Sequence, residues 1–215
     1  MNYYPIYLDI TGRRCVVAGG GDVAERKVER LLACGAHVVV IGKTLTPALK
    51  ALKKAGRIDH IEDDYGAACL REAFLVIGAT DQDEVNARIS ADARERGILV
   101  NIVDDPDRCD FILPSLFQRG DLSVAISTAG KSPALAKQLR EDLEGRYGQE
   151  YLILLKILGI LREKVKARGR SSDENKGLFE LVVHSNILDL IRGKNWDGVR
   201  KKIYELTGED MEIRE

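Results

Sequence analysis

The chain has 215 residues, of which 45% are hydrophobic and 31% are charged, a composition typical of globular proteins. Its formal net charge of −1 provides no electrostatic attraction to nucleic acid or to an anionic membrane surface, so neither partner is expected. No apolar run approaches the roughly 18 residues that a membrane-spanning helix needs. The opening stretch MNYYPIYLDI lacks the basic start and apolar core of a secretory signal.

The four cysteines, Cys15, Cys34, Cys69 and Cys109, are scattered and include no CxxC pair. This spacing favours neither structural zinc nor a disulfide framework, and it is typical of a cytoplasmic protein. The first three are predicted to be small buried hydrophobes, and Cys109, beside an acidic cluster, is predicted to be inert. The three histidines are dispersed, so no permanent metal site is expected.

Strand-like and helix-like stretches alternate through the first half of the chain. Apolar or β-branched runs occur at residues 14–19, 37–41, 57–62, 74–80 and 98–103. Helical periodicity separates them, with helix starts predicted at Thr46 and at Asp81 or Asp83. This alternation predicts an α/β fold, a Rossmann-like parallel sheet with helices on both faces, over residues 1–112.

The pattern changes after residue 112. FILPSLF and DLSVAIST, separated by QRG, predict two antiparallel strands, and Ser132-Pro133 predicts the start of a helix. Residues 113–148 are therefore expected to form a small α+β segment. Residues 149–215 are expected to form an all-helical C-terminal domain, with a long apolar helix, a polar linker at 168–177 and two shorter amphipathic helices.

A glycine-rich turn, Gly19-x-Gly21-x-x-Ala24, lies between the first predicted strand and helix. In this context the pattern is the dinucleotide fingerprint, in which Gly19 permits a tight turn and Gly21 lets the backbone approach a pyrophosphate. Ala24 permits close packing of helix on strand, and the helix N-terminus presents N–H groups to phosphate. The alternative is a glycine turn in an α/β sheet that binds no ligand.

The acidic residue that usually follows the second strand and holds the adenosine ribose is absent, because the sequence there reads Ile41-Gly42-Lys43-Thr44. Lys43 could contact a 2′-phosphate or could be a solvated loop lysine. The choice between NAD and NADP therefore stays open on these residues alone, and backbone groups around Lys43 and Thr44 could still hold the ribose.

Polar residues follow two further predicted strands, Thr80-Asp81 and Asp104-Asp105-Pro106. Ligands of a doubly wound sheet bind at such carboxyl ends, and a carboxylate there can accept a proton while hydride leaves the substrate. The alternative at Asp104-Asp105 is a plain turn. A hydroxyl-rich loop, residues 127–133, feeds a helix N-terminus and favours anion binding over capping alone.

Several segments together resemble the precorrin-2 dehydrogenase and sirohydrochlorin ferrochelatase family, the dehydrogenase/chelatase module of siroheme synthase. The resemblance is carried by PIYLDITGRRCVVAGGGDVAERK (5–27), GATDQDEVNARIS (78–90), NIVDDP (101–106), FILPS (111–115) and AISTAGKSPALAKQLRE (125–141). It implies NAD-dependent oxidation of precorrin-2 to sirohydrochlorin in siroheme biosynthesis, with ferrous ion as substrate of a second, chelatase reaction. It also implies a cytoplasmic homodimer that is intertwined through residues 113–148.

Carried over onto this sequence, the resemblance assigns roles to individual residues. Asp104 is implied to be the catalytic residue for oxidation and a transient contact for the metal. The implied cofactor-binding residues are Gly19, Gly21, Asp22, Val23, Lys43, Thr44, Thr80 and Asp81. The implied tetrapyrrole-binding residues are Asp105, Ser127, Thr128, Lys131 and Ser132, and Arg119 and Arg140 are further candidates for its carboxylates.

Two other functions are the alternatives to this one. An NAD-sensing regulatory domain of the kind attached to potassium transporters would share the glycine loop, but it requires neither NIVDDP nor STAGKSP. A small-molecule oxidoreductase acting on another substrate would be favoured by a Tyr-Lys or His-Asp catalytic pair, which the sequence does not show.

Overall fold

The five strand-like runs of the first half all form strands of one parallel sheet. The computed structural model describes residues 3–168 and 172–211, without the side chains of 172–174. The strands are β1 (Arg14–Ala18), β2 (His37–Ile41), β3 (Asp59–Ile61), β4 (Leu75–Gly78) and β5 (Leu99–Ile102). They pair in the order β3-β2-β1-β4-β5. Strands β2 and β3 thus lie on one side of β1, and β4 and β5 lie on its other side. The strand order switches between β1 and β4, and ligands of such sheets bind at this switch point.

Alternate residues of each strand point into two separate core layers. Val17 of β1 packs in one layer with Val28 of α1 (Asp22–Ala33) and Leu49 of α2 (Pro47–Lys54). Val16 packs in the other layer with Ile89 of α3 (Asp83–Glu95). Because both faces of the strands are buried, the strands read as continuous apolar runs.

Two of the predicted helix starts have different outcomes. The Oγ1 of Thr46 caps α2 by accepting the Leu49 N–H at 3.2 Å, as predicted. The prediction of an aspartate cap on α3 is wrong, because Gln82 occupies the N-cap position without a side-chain bond. The carboxylate of Asp83 instead pairs with Arg108, whose guanidinium lies 2.5 Å away.

The chain divides into two compact units, Met1–Leu113 and Pro114–Glu215. In the second unit, β6 (Ser115–Arg119) and β7 (Leu122–Ile126) form an antiparallel hairpin. Gly120, with a φ of +58°, makes the tight turn between them. Phe117 of β6 is fully buried, and α4 (Pro133–Arg146) packs on the same strand.

The remaining helices are α5 (Gln149–Ala167), α6 (Ser172–His184), α7 (Ile187–Arg192) and α8 (Trp196–Thr207). Leu154, Ile157, Leu161 and Val165 recur at helical spacing along α5 and form its buried stripe. The predicted linker at 168–177 is wrong from Ser172 onward, where α6 begins, and its residues 169–171 lie outside the described residues. Three helices, rather than two, therefore follow α5 within the described part of the chain.

These observations confirm the predicted fold class: a Rossmann-like parallel sheet, a small α+β segment and C-terminal helices. The further division of the second unit at residue 148 stays a prediction. Over residues 3–168 and 172–211, no helix combines the length and the apolar character needed to cross a bilayer.

The cysteines are partly where they were predicted. Cys15 is buried, but Cys34 is exposed, because it ends α1 at the turn into Gly35, and Cys69 is only partly buried. Cys109, which was predicted to be inert but was not included among the buried cysteines, is also buried.

Candidate functional site

The three glycines after β1 meet different surroundings. Gly19 has a φ of +121°, and a Cβ there would lie 2.3 Å from the Ala79 carbonyl oxygen. A Cβ on Gly20 would lie 1.9 Å from the Thr44 carbonyl oxygen, whereas one on Gly21 would meet nothing within 4 Å. The fold itself therefore requires glycine at the first two positions, and the space at Gly21 is open for a ligand. Gly20 was missed by the sequence analysis, because the fingerprint does not specify that position.

The N-terminus of α1 is open to an anion. Gly21 is its N-cap residue and offers no side-chain cap, so the first-turn N–H groups of Asp22, Val23 and Ala24 have no partner within the helix. Such N–H groups, together with the helix dipole, bind phosphate. The open space at Gly21 adjoins them, so these residues fit the pyrophosphate of a dinucleotide. The exposed side chain of Asp22 is a carboxylate, which carries the same charge as a phosphate. Asp22 would therefore contribute through its backbone N–H.

The loop between β2 and α2 is fastened to the glycine loop. The Thr46 N–H donates to the Gly20 carbonyl at 3.0 Å, and the Thr46 hydroxyl donates to Glu25 at 2.5 Å. These bonds hold Lys43 and Thr44, two predicted cofactor residues, beside the glycine turn. Glu25 is a positioning residue that the motif analysis did not find, because its role depends on the approach of a separate loop.

Lys43 is neither a free loop lysine nor a free phosphate ligand. Its Nζ lies 2.6 Å from Oδ2 of Asp64, a residue that follows β3. This hydrogen bond raises the pKa of the Lys43 amine above its ordinary value. The adenosine end of the predicted cofactor site therefore carries a cation that is already paired.

The turn after β4 is held by a buried amide. Asn86 of α3 donates its Nδ2–H to the Thr80 carbonyl at 3.0 Å, and its Oδ1 accepts the Thr80 hydroxyl at 2.9 Å. Asp81 is exposed. Thr80 and Asp81 thus leave the same edge of the sheet as the glycine loop, on the strand next to β1.

The two aspartates after β5 have different surroundings. Asp105 forms an ion pair with Arg108 at 3.2 Å, and Arg108 also binds Asp83. Asp104 is exposed, and its carboxylate has no hydrogen bond or ion pair within the described part of the chain. Its φ of +60° is unusual for a residue with a side chain. Of the two, Asp104 is therefore the carboxylate available to a ligand.

The side chain of Cys109 forms hydrogen bonds within the turn that carries Asp104. Its Sγ accepts the Ile102 N–H at 3.1 Å, and its S–H faces the carbonyls of Ile102 at 3.2 Å and Asp105 at 3.1 Å. Burial raises the pKa of the thiol, so it stays protonated at neutral pH. The thiol thus has a structural role in holding this turn.

Lys27 of α1 is a further cation near this edge of the sheet. Burial lowers the pKa of its amine, Arg30 and Arg26 lower it further, and the charge of Asp104 acts in the opposite direction. The charges of Lys27 and Asp104 therefore interact across this edge of the sheet. Sequence reasoning read the helix only for its apolar face and did not single out Lys27.

The predicted tetrapyrrole loop lies in the second unit and uses most of its hydroxyls internally. The Oγ of Ser132 caps α4 at Leu135, and Thr128 Oγ1 both donates to the Ser132 carbonyl and accepts its N–H, each at 3.1 Å. Ser127 accepts the Ala129 N–H at 3.1 Å. Among described residues the ammonium of Lys131 has no partner, so it is the group of this loop left for an anion.

The two arginines considered for substrate carboxylates are engaged elsewhere in the second unit. Arg119 donates to the carbonyls of Tyr147 and Glu144, each at 3.4 Å. Arg140 pairs with Glu144 and Glu141. Among the described residues, no group of three or more His, Cys, Asp or Glu side chains is arranged to hold a metal ion.

Comparison with known proteins gives consistent matches over both units. Residues 6–115 match the family described as "Putative NAD(P)-binding", and residues 119–146 match the family described as "Sirohaem biosynthesis protein central". Among solved structures, "SirC, precorrin-2 dehydrogenase" has a TM-score of 0.79 and 25% identity, covering 96% of this chain and 100% of that one.

Two curated relatives are similar in sequence. Siroheme synthase 1 of Aeromonas salmonicida is 41% identical over 188 residues, which are 87% of this chain and 40% of the relative. Siroheme synthase of Photobacterium profundum is 36% identical over 207 residues, which are 96% of this chain and 44% of the relative. The chain thus spans less than half the length of these relatives. Because the first of these family models covers more than half of the chain, the chain belongs to the family described as "Putative NAD(P)-binding", and its residues 119–146 carry the central segment of a sirohaem biosynthesis protein.

Proposed function

We propose that this protein oxidises precorrin-2 to sirohydrochlorin, with NAD as hydride acceptor. The observation that carries the proposal is the match in fold to a protein named precorrin-2 dehydrogenase, which extends over 96% of this chain and all of the other. The match at residues 119–146 to a sirohaem biosynthesis family disfavours the NAD-sensing regulatory domain. That alternative requires only the first unit.

The reaction removes a hydride and a proton from the macrocycle. The nicotinamide of bound NAD supplies the hydride acceptor, and a carboxylate of the protein accepts the proton. Asp104 is assigned this role because it is exposed, has no hydrogen bond or ion pair in the described part of the chain and lies at the carboxyl edge of the sheet. Lys27 of α1 interacts electrostatically with this carboxylate.

Cofactor binding is assigned to the backbone of the glycine loop and to the two neighbouring turns. The first-turn N–H groups of α1 would hold the pyrophosphate. Residues 43–44 and 80–81 would border the rest of the dinucleotide at the strand ends on either side of β1.

The tetrapyrrole carries several carboxylates and therefore requires cationic or N–H donors. Lys131 is assigned to one of these carboxylates, because its ammonium is not used elsewhere among the described residues. Ser127, Thr128 and Ser132 would shape the loop, and Asp105 would hold Arg108 rather than contact substrate directly. This assignment changes the expected role of Asp105 from a substrate ligand to a support of the Asp104 turn.

Three further properties belong to the same proposal. Ferrous ion is a second substrate, whose insertion into sirohydrochlorin displaces two pyrrole protons, which Asp104 would accept one at a time and pass to solvent. The protein acts as a homodimer through residues 113–148, as the resemblance to the family implies. A cytoplasmic location suits the four free cysteines.

The test is a direct assay with purified protein, precorrin-2 and NAD, in which sirohydrochlorin is followed by its absorbance. Asp104→Asn should abolish the change while NAD still binds, and Asp105→Asn is the matched control with the neighbouring carboxylate removed. Oxidation should persist in the control at a reduced rate. Absence of any NAD-dependent change with the wild type would overturn the proposal, and full activity of Asp104→Asn would overturn the role of that carboxylate.

The chelatase step is tested separately by adding ferrous or cobaltous ion to sirohydrochlorin. Insertion faster than the spontaneous reaction, lost in Asp104→Asn, is the expected result. Insertion at the spontaneous rate would restrict the protein to dehydrogenation.

A further inference from the structure

The acidic residue missing from the end of β2 has a counterpart at the end of the adjacent strand. β3 pairs with β2 in parallel, with Ile41 opposite Ile61, and the Gly42 N–H donates to the Ile61 carbonyl at 3.0 Å. Residues that follow the two strands therefore leave the sheet side by side. Those after β3 are Glu62, Asp63 and Asp64.

Asp64 is held where the loop after β2 passes. Its Oδ2 lies 2.6 Å from Lys43 Nζ, and its own N–H donates to Oδ1 of Asp63 at 2.7 Å. The side chains of Lys43 and Asp64 are 65% and 75% exposed, so their ion pair contributes little to stability. This exposure leaves Asp64 accessible to a ligand and its removal compatible with folding.

We propose that Asp64 is the carboxylate that binds the adenosine ribose of the cofactor, and that it thereby selects NAD over NADP. The inference rests on the proposed function, in which the glycine loop binds the pyrophosphate of the same dinucleotide. A carboxylate accepts hydrogen bonds from the ribose hydroxyls and repels a 2′-phosphate. Asp64 takes the place of the acid that the usual fingerprint carries after the second strand.

The contrasting assignment makes Lys43 a ligand of the 2′-phosphate of NADP. The pairing in the structure opposes it, because a phosphate bound to the Lys43 ammonium would lie beside the carboxylate of Asp64 and be repelled by it, whereas ribose hydroxyls can donate to that carboxylate. The surrounding charges oppose it as well: Glu62, Asp63 and Asp64 outnumber the neighbouring cations Lys43 and Lys53. A doubly charged phosphate would enter a locally negative region.

The experiment is titration calorimetry of NAD and of NADP with the wild type, Asp64→Asn and Glu62→Gln. Glu62→Gln is the matched control, since it removes the same charge two residues away, where the carboxylate lies 3.8 Å from Lys53 instead. The wild type should bind NAD at least about tenfold more tightly than NADP. Asp64→Asn should weaken NAD binding and tighten NADP binding, lowering this ratio by roughly tenfold or more, and Glu62→Gln should keep it within about twofold.

A double variant, Lys43→Ala with Asp64→Asn, tests the origin of the gain. It should lose the improved NADP binding, because the released ammonium is what accepts the 2′-phosphate. An unchanged NAD/NADP ratio in Asp64→Asn, or an equal shift in Glu62→Gln, would overturn the inference and leave the proposed function standing. Failure of the wild type to bind either dinucleotide would overturn both.

Discussion

Replacement of Gly20 by alanine separates what the glycine loop does for the fold from what it does for a ligand. The new Cβ would lie 1.9 Å from the Thr44 carbonyl oxygen and 3.1 Å from a methyl carbon of Leu45. The first distance is far below a van der Waals contact, and the atom met is backbone. The loop after β2 therefore has to move away from the glycine loop by about 1 Å.

The cost follows from the bonds that this movement breaks. The Thr46 N–H would lose the Gly20 carbonyl, worth about 1 kcal/mol, and the Thr46 hydroxyl would lose the carboxylate of Glu25, worth about 2 kcal/mol. Alanine also restricts the unfolded chain more than glycine does, which stabilises the folded protein by up to about 1 kcal/mol and offsets part of this loss. We expect Gly20→Ala to lower the free energy of unfolding by about 2 kcal/mol, measured by urea denaturation.

Gly21→Ala is the matched control, one residue along. Its Cβ meets nothing within 4 Å, and the gain from restricting the unfolded chain is opposed by the poorer N-cap preference of alanine, so stability should be nearly unchanged. Binding of NAD should instead weaken by about tenfold or more, because the methyl group occupies the space through which the pyrophosphate approaches the backbone. A wild-type denaturation midpoint for Gly20→Ala would refute the packing argument, and wild-type NAD affinity for Gly21→Ala would refute the placement of the pyrophosphate.

Three further predictions concern side chains that hold a turn or form an ion pair within one unit. Cys109→Ala should lower the free energy of unfolding by about 1–2 kcal/mol and slow oxidation of precorrin-2, because the thiol bonds that hold the Asp104 turn are lost; an unchanged rate would contradict that role. A hydrogen bond from Arg108 lowers the pKa of Asp83 below its ordinary 3.8, so the stabilisation is complete above that pH and is lost as the pH falls through the lower, folded-state value. Denaturation midpoints of the wild type and Asp83→Asn should therefore differ at pH 5 and converge as the pH falls below 3.8, and a constant difference would contradict the linkage. Arg168→Met should destabilise the protein by about 3 kcal/mol, because it leaves the buried carboxylate of Glu209, 5% exposed, without its cation; adding Glu209→Gln should restore most of the loss in urea denaturation.

Local patterns in the sequence were sufficient to predict the main elements and the cofactor loop. β-Branched runs ending in glycine predicted the parallel strands, because a strand buried on both faces has to be apolar throughout. The spacing of Gly19, Gly21 and Ala24 between a strand and a helix predicted a phosphate-binding turn, because each feature lies within one short segment. The strand register then brought the predicted turns at Thr80 and Asp104 to the same edge of the sheet.

The roles of individual polar side chains required the tertiary structure. Asp104 and Asp105 are neighbours of the same residue type, and only the position of Arg108 shows that Asp105 is paired and Asp104 is not. Likewise, Asp64 is 21 residues from Lys43 in the sequence, and their contact depends on β3 lying next to β2. Periodicity and motifs report backbone conformation and burial, which are local properties of a segment. The sequence by itself therefore determined the cofactor loop. The partner of a charged side chain depends on the order of strands in the sheet, so only the structure decided which carboxylates lie near that loop.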